Sequence, residues 1–251
     1  MPVSETLPRR SLTVRLAETE ADMNAAQRLR WEVFCKGLGA ESASGGDLDI
    51  DPYDVLCDHL LVEDGGRAVG TYRLLRKSVA LACSGFYSSG EYCLDQLGSD
   101  QREWLELGRS CVAPAYRDAG TIQLLWRGIA TYLQNHDISL MFGCASFHGI
   151  EPDEHAAPLS YLFHNHLAPA NLRARALNAR HVDMGILPIG GYDQRQAMRM
   201  LPPLIKGYLR VGAMVGDGAV IDHDFNTVDV FMIMPVEQIA ARYLERFGAA
   251  A

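Results

Sequence analysis

The sequence predicts an α/β domain in which helices flank a mixed, mostly antiparallel sheet. Strand-like and helix-like patterns alternate along the chain, as they do where helices cover a sheet. A glycine-containing turn at residues 64–66 separates two apolar runs and predicts a hairpin, so neighbouring strands run antiparallel. Residues 119–136 place their apolar side chains on a single stripe, which predicts a long helix.

In the first half of the chain, apolar spacing predicts the elements. Residues 12–16 alternate apolar and polar, which indicates a short strand, and residues 20–34 have helical spacing. Residues 37–54 carry four glycines and many acids, so we expect a loop with at most a short helix. Residues 78–102 have the composition of an insertion holding one strand and one short helix. Further strands are predicted at 59–62, 68–75 and 103–112.

The second half continues the alternation. After the helix at 119–136, residues 140–145 predict a buried strand, and an extra helical segment is expected near 150–200. Helices are predicted at 157–166, 201–211 and 237–247, and strands at 219–221 and 228–234. The expected organisation is a flexible N-terminus at 1–11 followed by one domain over 12–251.

Composition places the chain among ordinary globular proteins. Of its 251 residues, 48% are hydrophobic and 22% are charged. No apolar run reaches the roughly 18 residues that span a bilayer, and the N-terminal segment lacks the apolar core of a signal peptide. We therefore expect a cytoplasmic protein. The net charge of −8 argues against nucleic acid as a partner.

Cysteine and histidine spacing predicts no metal site. None of the six cysteines belongs to a Cys-x-x-Cys pair, and no cysteine and histidine set has zinc spacing. Two His-x4-Asp pairs, His59 with Asp64 and His148 with Asp153, fit the spacing by which glycerolipid acyltransferases activate a hydroxyl. Such two-residue patterns arise often by chance, so both remain minor alternatives.

Charge is unevenly distributed along the chain. Acids crowd residues 41–64 and arginines crowd residues 171–199. The acidic segment could form a pocket for a cationic substrate and the basic one a docking patch for an acidic partner, although each could also be a solvated face. With 3 lysines against 20 arginines, docking is favoured, because arginine binds carboxylates and phosphates better. The acids are Asp47, Asp49, Asp51, Asp54 and Asp58, and the arginines are Arg173, Arg175, Arg180, Arg195 and Arg199.

The strand predicted at 103–112 carries a glutamate and an arginine that could do chemistry. Glu106 and Arg109 are three residues apart, so ideal pleating would point them to opposite faces, but Gly108 favours a bulge that re-aims one of them. A carboxylate on a central strand needs a partner, and Glu106 is predicted either as a general base for an amine or as half of a structural ion pair. Cys111 is the rival as a nucleophile, although no histidine adjoins it in sequence.

The turn after this strand opens the helix at 119–136. Gly120 permits close approach of a ligand to the backbone, and the free N–H groups of a first helical turn can hold an acyl donor. We therefore predict donor binding by this turn, including Arg117, with N–H groups near Val112 stabilising an oxyanion.

Several motifs give the chain a family resemblance. Four runs resemble the acyl-homoserine lactone synthases, without the tryptophan expected soon after Phe34: Arg30-Trp31-Glu32-Val33-Phe34, Asp51-Pro52-Tyr53-Asp54, Gly70-Thr71-Tyr72-Arg73-Leu74-Leu75 and Glu106-Leu107-Gly108-Arg109. A fuller likeness, over about residues 12–235, is to the ornithine-acyl-ACP N-acyltransferase family of ornithine lipid synthesis. It rests on residues 106–112, 143–147, 159–163, 166–169, 201–208 and 224–230.

This resemblance implies a GNAT fold and transfer of a 3-hydroxyacyl chain from acyl carrier protein to the α-amine of ornithine, giving lyso-ornithine lipid. The thioester on phosphopantetheine would be the co-substrate, with no other cofactor, and Ile122 departs from the GNAT pyrophosphate turn. By analogy, Glu106 is the base and Arg109 supports it. The residues assigned to substrate binding are Arg30, Asp51, Asp54, Asp58 and Arg73; to donor binding Val112, Arg117, Ala119, Gly120 and Thr121; and to carrier docking Arg173, Arg175 and Arg180.

Other functions remain open on the sequence. The acceptor amine could be glutamine, glycine or homoserine with lactone formation, the donor could be acetyl-CoA, or the chain could bind acyl carrier protein without catalysis. An amphiphilic product makes peripheral contact with the inner face of the membrane plausible, through residues 78–92 and 188–200.

Overall fold

The computed structural model describes residues 10–40, 45–97 and 101–239. The strands are β1 (Leu12–Leu16), β2 (Asp58–Asp64), β3 (Arg67–Arg76), β4 (Tyr92–Cys93), β5 (Glu103–Val112), β6 (Ile138–His148), β7 (Arg175–Ala176), β8 (His181–Val182), β9 (Met214–Asp222) and β10 (Thr227–Pro235). The helices are α1 (Glu20–Leu38), α2 (Lys77–Ala82), α3 (Ala119–Asn135), α4 (Ala156–His166), α5 (Gln194–Met200) and α6 (Pro203–Arg210).

The strands form one mixed sheet, as predicted. Its order is β1-β2-β3-β5-β6-β10-β9-β7-β4, and β8 pairs with β9. Antiparallel pairing predominates; β5 with β6 and β7 with β9 are the parallel pairs among the described residues. The hairpin at 64–66 joins β2 to β3, so the mostly antiparallel α/β prediction is confirmed.

Helix α1 begins and ends on recognisable signals. Thr19 accepts a hydrogen bond from the backbone N–H of Asp22, whose carboxylate in turn accepts from the Thr19 N–H, so the two form a capping box. The helix stops at Gly39, whose left-handed φ of 79° suits glycine. It runs four residues past the predicted end at 34, because the sequence from 35 to 38 contains no breaker other than Gly37.

Helix α3 forms where the apolar stripe predicts. Asp118 caps its first turn by accepting from the Thr121 N–H, and the buried residues Leu125, Ile129 and Leu133 face the sheet. A Cβ on Gly128 would lie 2.7 Å from a Leu60 methyl carbon, so the helix packs closely on β2.

The sheet opens between β5 and β6. Their parallel pairing runs from Glu103 opposite Ile138 to Glu106 opposite Phe142 and ends there. The register of β5 against β3 shifts in the next residues, and Arg109 has a φ of 49°. The bulge expected around Gly108 is therefore present, between Gly108 and Cys111 and within a few residues of Glu106.

The insertion at 78–102 contains α2 and β4, the predicted short helix and strand, together with two turns of 3-10 helix. Its Phe86, Tyr92 and Leu97 belong to an apolar cluster with Phe142 and Phe231 of the sheet. The insertion therefore covers one side of the sheet beside the opening, while α1, α3 and α6 contribute to the larger core.

The extra segment at 150–200 is less helical than expected. It holds α4 as predicted, but also α5 and the two-residue strands β7 and β8, which periodicity did not indicate. Residues 236–239 begin the predicted closing helix, and the remainder of that prediction lies outside the described residues, as do residues 1–9 of the predicted N-terminus. Among the helices that the structure describes, none combines the length and apolarity that crossing a bilayer requires.

Candidate active site

The Glu106 carboxylate is buried and held by the insertion. One oxygen accepts the Tyr87 backbone N–H at 2.8 Å, and the other accepts the Ser88 N–H at 2.7 Å and the Ser88 hydroxyl. Only 4% of the residue is exposed. Burial raises the pKa of Glu106, although the bonds from Ser88 and Tyr87 and the charge of Arg73 oppose that rise. It is a carboxylate with a fixed orientation and a raised proton affinity, as a base for an amine requires.

A cavity of about 190 Å³ reaches Glu106 at the place where the sheet opens. β5 contributes Glu106 through Ser110, so the bulge turns several consecutive residues toward the space. Arg73 of β3 and Arg109 also line it. The cavity is smaller than the roughly 300–1,000 Å³ typical of sites for larger ligands, and it suits an amino acid. Other lining residues include Phe34, Leu38, Tyr87, Ser88, Cys144, Ser146, Tyr208, Asp222, Phe225 and Asp229.

Arg109 is not paired with Glu106, so the alternative of a structural ion pair between them is wrong. Its Nη2 donates to Asp51 at 2.6 Å, and its Nε lies 3.3 Å from an oxygen of Asp49. The guanidinium stacks on the Phe225 ring, with 4.4 Å between its central carbon and the ring centroid. Arg109 therefore presents a fixed positive group to the wall of the cavity.

Arg30 and Asp54, predicted to bind substrate, form a buried ion pair behind the cavity. Arg30 has no exposed surface and donates to Asp54 through both Nη atoms, at 2.9 and 2.7 Å. Burial disfavours the Asp54 charge, but hydrogen bonds and charge from Arg30 lower the pKa of Asp54 to about 2. Neither residue is among those lining the cavity, and their arrangement is structural: the pair ties the loop before β2 to α1.

The other predicted substrate residues divide between wall and periphery. Asp51 accepts from Arg73 at 2.8 Å as well as from Arg109, so it orients two arginines that line the cavity. Asp58 instead accepts the Tyr132 hydroxyl at the start of β2 and is not among the residues lining the cavity. The acidic segment is thus largely neutralised by arginines, which its sequence pattern did not indicate.

Three buried acids that the sequence analysis missed lie at the same cavity. Glu91, Asp222 and Asp229 place carboxylate oxygens within 4.8 Å of one another, and Asp222 and Asp229 line the space. Burial, reinforced by the neighbouring carboxylates, raises the pKa of Glu91 to about 7 and that of Asp229 to about 6. The only sequence signal was the polar residue Asp229 inside an otherwise apolar strand.

The turn predicted to bind the donor adjoins the cavity without lining it. Val112 and Thr121 are buried, whereas Arg117, Ala119 and Gly120 are exposed beside the start of α3. Arg117 donates to the Val112 carbonyl, and the Asp118 carboxylate caps the helix and pairs with Arg10. An anionic cap already occupies the place where a pyrophosphate would bind.

The predicted docking arginines lie at the opposite edge of the sheet. Arg173 donates to the Ala168 carbonyl at 2.7 Å, and Arg175 on β7 lies 3.7 Å from Asp217. Arg180 lies 3.4 Å from a carboxylate oxygen of Glu91. Only Arg180 reaches the acids beside the cavity.

Cys111 and the two His-Asp pairs are poorly placed for catalysis. Cys111 is buried in the main core and absent from the cavity wall, and burial raises the pKa of its thiol to about 12. The His59 ring contacts the Asp54 carbonyl, whereas Asp64 accepts from Tyr116. His148 and Asp153 are both absent from the cavity wall.

Comparison with known proteins identifies the family of this chain. Residues 29–127 match the acetyltransferase (GNAT) domain family. The chain is 46% identical over 253 residues to an L-ornithine N(alpha)-acyltransferase of Brucella abortus, with 96% of this chain and 90% of that protein covered. The chain belongs to the L-ornithine N(alpha)-acyltransferase family. The predicted family, and an acyltransferase with a GNAT fold, are thereby confirmed.

Solved structures support the fold assignment for this family member. An N-acyl amino acid synthase from uncultured soil microbes superposes with a TM-score of 0.54 and 9% identity, covering 93% of this chain and 95% of that one. A CoA-dependent acyl-homoserine lactone synthase superposes with a TM-score of 0.53 and 14% identity, covering 95% of this chain and 96% of that one. At these identities the likeness is one of fold.

Proposed function

We propose that this chain transfers a 3-hydroxyacyl group from acyl carrier protein to the α-amine of ornithine, giving lyso-ornithine lipid. The observation that carries the proposal is the Glu106 carboxylate, which lines a cavity of amino-acid size where the sheet opens. Membership of the family supplies the acceptor, since the relatives are named for acylation of L-ornithine at the α-nitrogen.

The chemistry needs one base and one charge-stabilising group. Glu106 takes a proton from the α-ammonium, and the neutral amine attacks the thioester carbonyl to form the C–N bond. Collapse of the tetrahedral intermediate breaks the C–S bond, and the thiolate takes the proton that Glu106 had accepted. The new amide nitrogen still carries a second proton, which it loses to the freed Glu106 carboxylate or to water. The oxyanion donors were expected near Val112, which does not line the cavity. N–H groups of β5 just beyond Glu106 are proposed instead, because pairing with β6 ends at Glu106 and the cavity wall continues to Ser110.

The arginines of the cavity wall suit the acceptor's carboxylate. Arg73 and Arg109 each hold Asp51 through one side of the guanidinium, which fixes their orientation. A guanidinium offers five N–H donors, so further donors remain for a second carboxylate. We assign Arg109, beside Glu106, as the main contact for the acceptor's carboxylate and Arg73 as the second contact for the same group.

The donor is proposed to be a carrier-bound thioester. The acidic cap of α3 and Ile122 disfavour a nucleotide pyrophosphate at that helix, and the exposed arginines Arg175 and Arg180 offer charge to an acidic carrier. Measuring thiol release from the acyl carrier protein thioester and from acetyl-CoA distinguishes the two donors. If only acetyl-CoA were consumed, the proposal of a carrier-bound donor would be wrong.

Glu106→Gln is the direct test of the base. It keeps the shape of the side chain and removes the proton acceptor, so kcat should fall by about 10²–10⁴-fold while the fold survives. Turnover is followed by thiol release, and the fold by circular dichroism.

The matched control is Glu103→Gln, on the same strand but bonded to Ser78 and absent from the cavity wall. It should retain near-normal turnover. Near-normal activity in Glu106→Gln would remove this residue as the base.

A further inference from the structure

Glu91, Asp222 and Asp229 form a compact anionic cluster, here called the acid cluster. The insertion supplies Glu91, the end of β9 supplies Asp222, and β10 supplies Asp229. Each residue is between 4% and 8% exposed, so the three carboxylates share a nearly closed space. Like charges at this distance repel strongly in a protein interior, and the fold gains nothing from holding them together.

The acid cluster is not neutralised by the described residues around it. Arg180 contacts Glu91 at 3.4 Å, but 44% of its side chain is exposed. One oxygen of Asp222 accepts the N–H groups of Asp224 and Phe225. Oδ1 of Asp229 is buried and accepts no hydrogen bond of ordinary geometry in the described part of the chain, although the Ser146 and Thr227 hydroxyls lie near this carboxylate. Asp229 also lines the cavity. A buried carboxylate oxygen without a hydrogen-bond partner destabilises the fold, and a cation bound beside it would relieve that cost.

Contacts connect the acid cluster to Glu106 across the cavity. The Ser88 hydroxyl bonds Glu106 and lies 3.7 Å from Cys144 Sγ, which lies 3.3 Å from Glu91. Strand β6 lies between the two strands that carry these acids. Glu106 of β5 pairs with Phe142 of β6, and Asp229 of β10 pairs with Ser146 of β6. Four residues of strand place the two positions about 13 Å apart along the backbone. The contacts through Ser88 and Cys144 keep the Glu106 and Glu91 carboxylates within about 10 Å of each other, a separation that a short diamine can bridge with a hydrogen bond at each end.

We propose that the acid cluster binds the side-chain ammonium of the ornithine acceptor, so that only the α-amine reaches Glu106. This inference rests on the proposed function and deepens it. The carboxylates hold the δ-nitrogen in its charged form, in which it has no lone pair for attack on the thioester. The acid cluster therefore determines both the choice of a cationic acceptor and acylation at the α-nitrogen.

The experiment compares two acceptors with the full chain and an acyl carrier protein thioester. Ornithine is set against norvaline, which has the same carbon chain without the δ-amine. The wild type should prefer ornithine to norvaline by about 100-fold or more in kcat/KM, because norvaline leaves the buried charges unpaired.

Asp229→Asn and Asp222→Asn should lower kcat/KM for ornithine by about 10- to 100-fold and change that for norvaline less than about threefold. The control is Asp224→Asn, an exposed acid on the same turn that does not line the cavity. It should leave the preference unchanged. The same effect in both variants would show that it does not result from local misfolding at one position.

Each outcome decides between explanations. A wild type that acylates norvaline as well as ornithine, or variants that keep the wild-type preference, would overturn the inference while leaving ornithine acylation intact. A wild type that rejects ornithine and accepts a neutral amino acid would reject the proposed function as well. Loss of activity with EDTA and its recovery with a divalent ion would show that the acid cluster holds a metal, which would overturn the ammonium assignment.

Discussion

At the scale of single residues, two buried carboxylates of the cavity differ in how their charge is supported. Glu106 accepts three hydrogen bonds from the segment at Tyr87 and Ser88, so its ionised form has a prepared environment. Asp229 has a buried oxygen that accepts no hydrogen bond of ordinary geometry among the described residues. The first arrangement suits a base that must release and regain a proton, and the second suits the capture of a cation.

The raised pKa values of Glu91 and Asp229 make stability depend on pH. Their folded values of about 7 and about 6 exceed the ordinary 4.5 and 3.8, so between about pH 4 and pH 7 the folded chain binds more protons than the unfolded chain. The two groups therefore lower stability at neutral pH, and that penalty disappears as the pH falls. The groups that face them are Asp222, Arg109, Arg180 and Cys144, with the hydroxyls of Ser146 and Thr227.

Asp229→Asn should therefore raise the free energy of unfolding by on the order of 1–2 kcal/mol at pH 8, with the gain shrinking toward pH 5. Urea unfolding at several pH values measures it, and Asp224→Asn should change stability by less than about 0.5 kcal/mol. A variant less stable than wild type at pH 8 would contradict the raised pKa of Asp229.

At the scale of elements, the site depends on the point where β5 and β6 separate. A Cβ on Gly143 would lie 2.1 Å from the Leu107 carbonyl oxygen, so the strands touch just beyond the last paired residues. Only glycine allows β6 this close to the residue that follows Glu106. The close contact fixes the position of Glu106 relative to the opening.

Gly143→Ala should push the strands apart and lower the free energy of unfolding by about 2 kcal/mol or more, with a fall in turnover. Gly207→Ala is the matched control, because a Cβ there meets nothing within 4 Å and the residue lies inside α6. That change should stabilise the chain by roughly 0.5–1 kcal/mol. Equal stability of Gly143→Ala and wild type in urea unfolding would show that the contact is unimportant.

At the scale of the whole molecule, two basic surfaces could receive the carrier. One holds Arg175 and Arg180 near the far edge of the sheet, and the other holds Arg67 of the hairpin, whose charge acts on Tyr116 just before α3. The net charge of −8 repels an acidic carrier overall, so docking needs a local basic surface.

Charge reversal identifies the docking surface. If the carrier binds the predicted arginine segment, Arg175→Glu should raise KM for the carrier thioester about three- to tenfold at low salt, and Arg67→Glu should not. A soluble pantetheine thioester should show no change with either variant. The reverse pattern would place the carrier at the start of α3 and reject the docking prediction.

Peripheral membrane contact is proposed through the segment at 188–200, where large apolar side chains are exposed. Ile189 is 76% exposed, and Met198 and Met200 are each 46% exposed. Ile189→Asp should reduce binding to phosphatidylglycerol vesicles about fivefold or more in a flotation assay. The control is Val55→Asp, at an 86% exposed site elsewhere. Equal flotation of Ile189→Asp and wild type would exclude this surface.

The sequence by itself determined the elements whose patterns are local. The apolar stripe of α3, the hairpin turn at 64–66 and the strand at 103–112 were predicted at or near their observed bounds, because each follows from neighbouring residues. The short elements α5, β7 and β8 were missed, since such pieces are stabilised by packing and not by intrinsic propensity. Glu106 was identified because a carboxylate in an apolar strand is visible in sequence.

Only the tertiary structure decided which charges meet. The acids at 49, 51 and 54 were predicted to receive a cationic substrate, but Arg30, Arg73 and Arg109 arrive from three other elements and pair with them. The acids left without full neutralisation come from residues 91, 222 and 229, which only the sheet and its insertion bring together. Electrostatic pairing depends on distance in space, and more than 130 residues of chain separate Glu91 from its partners.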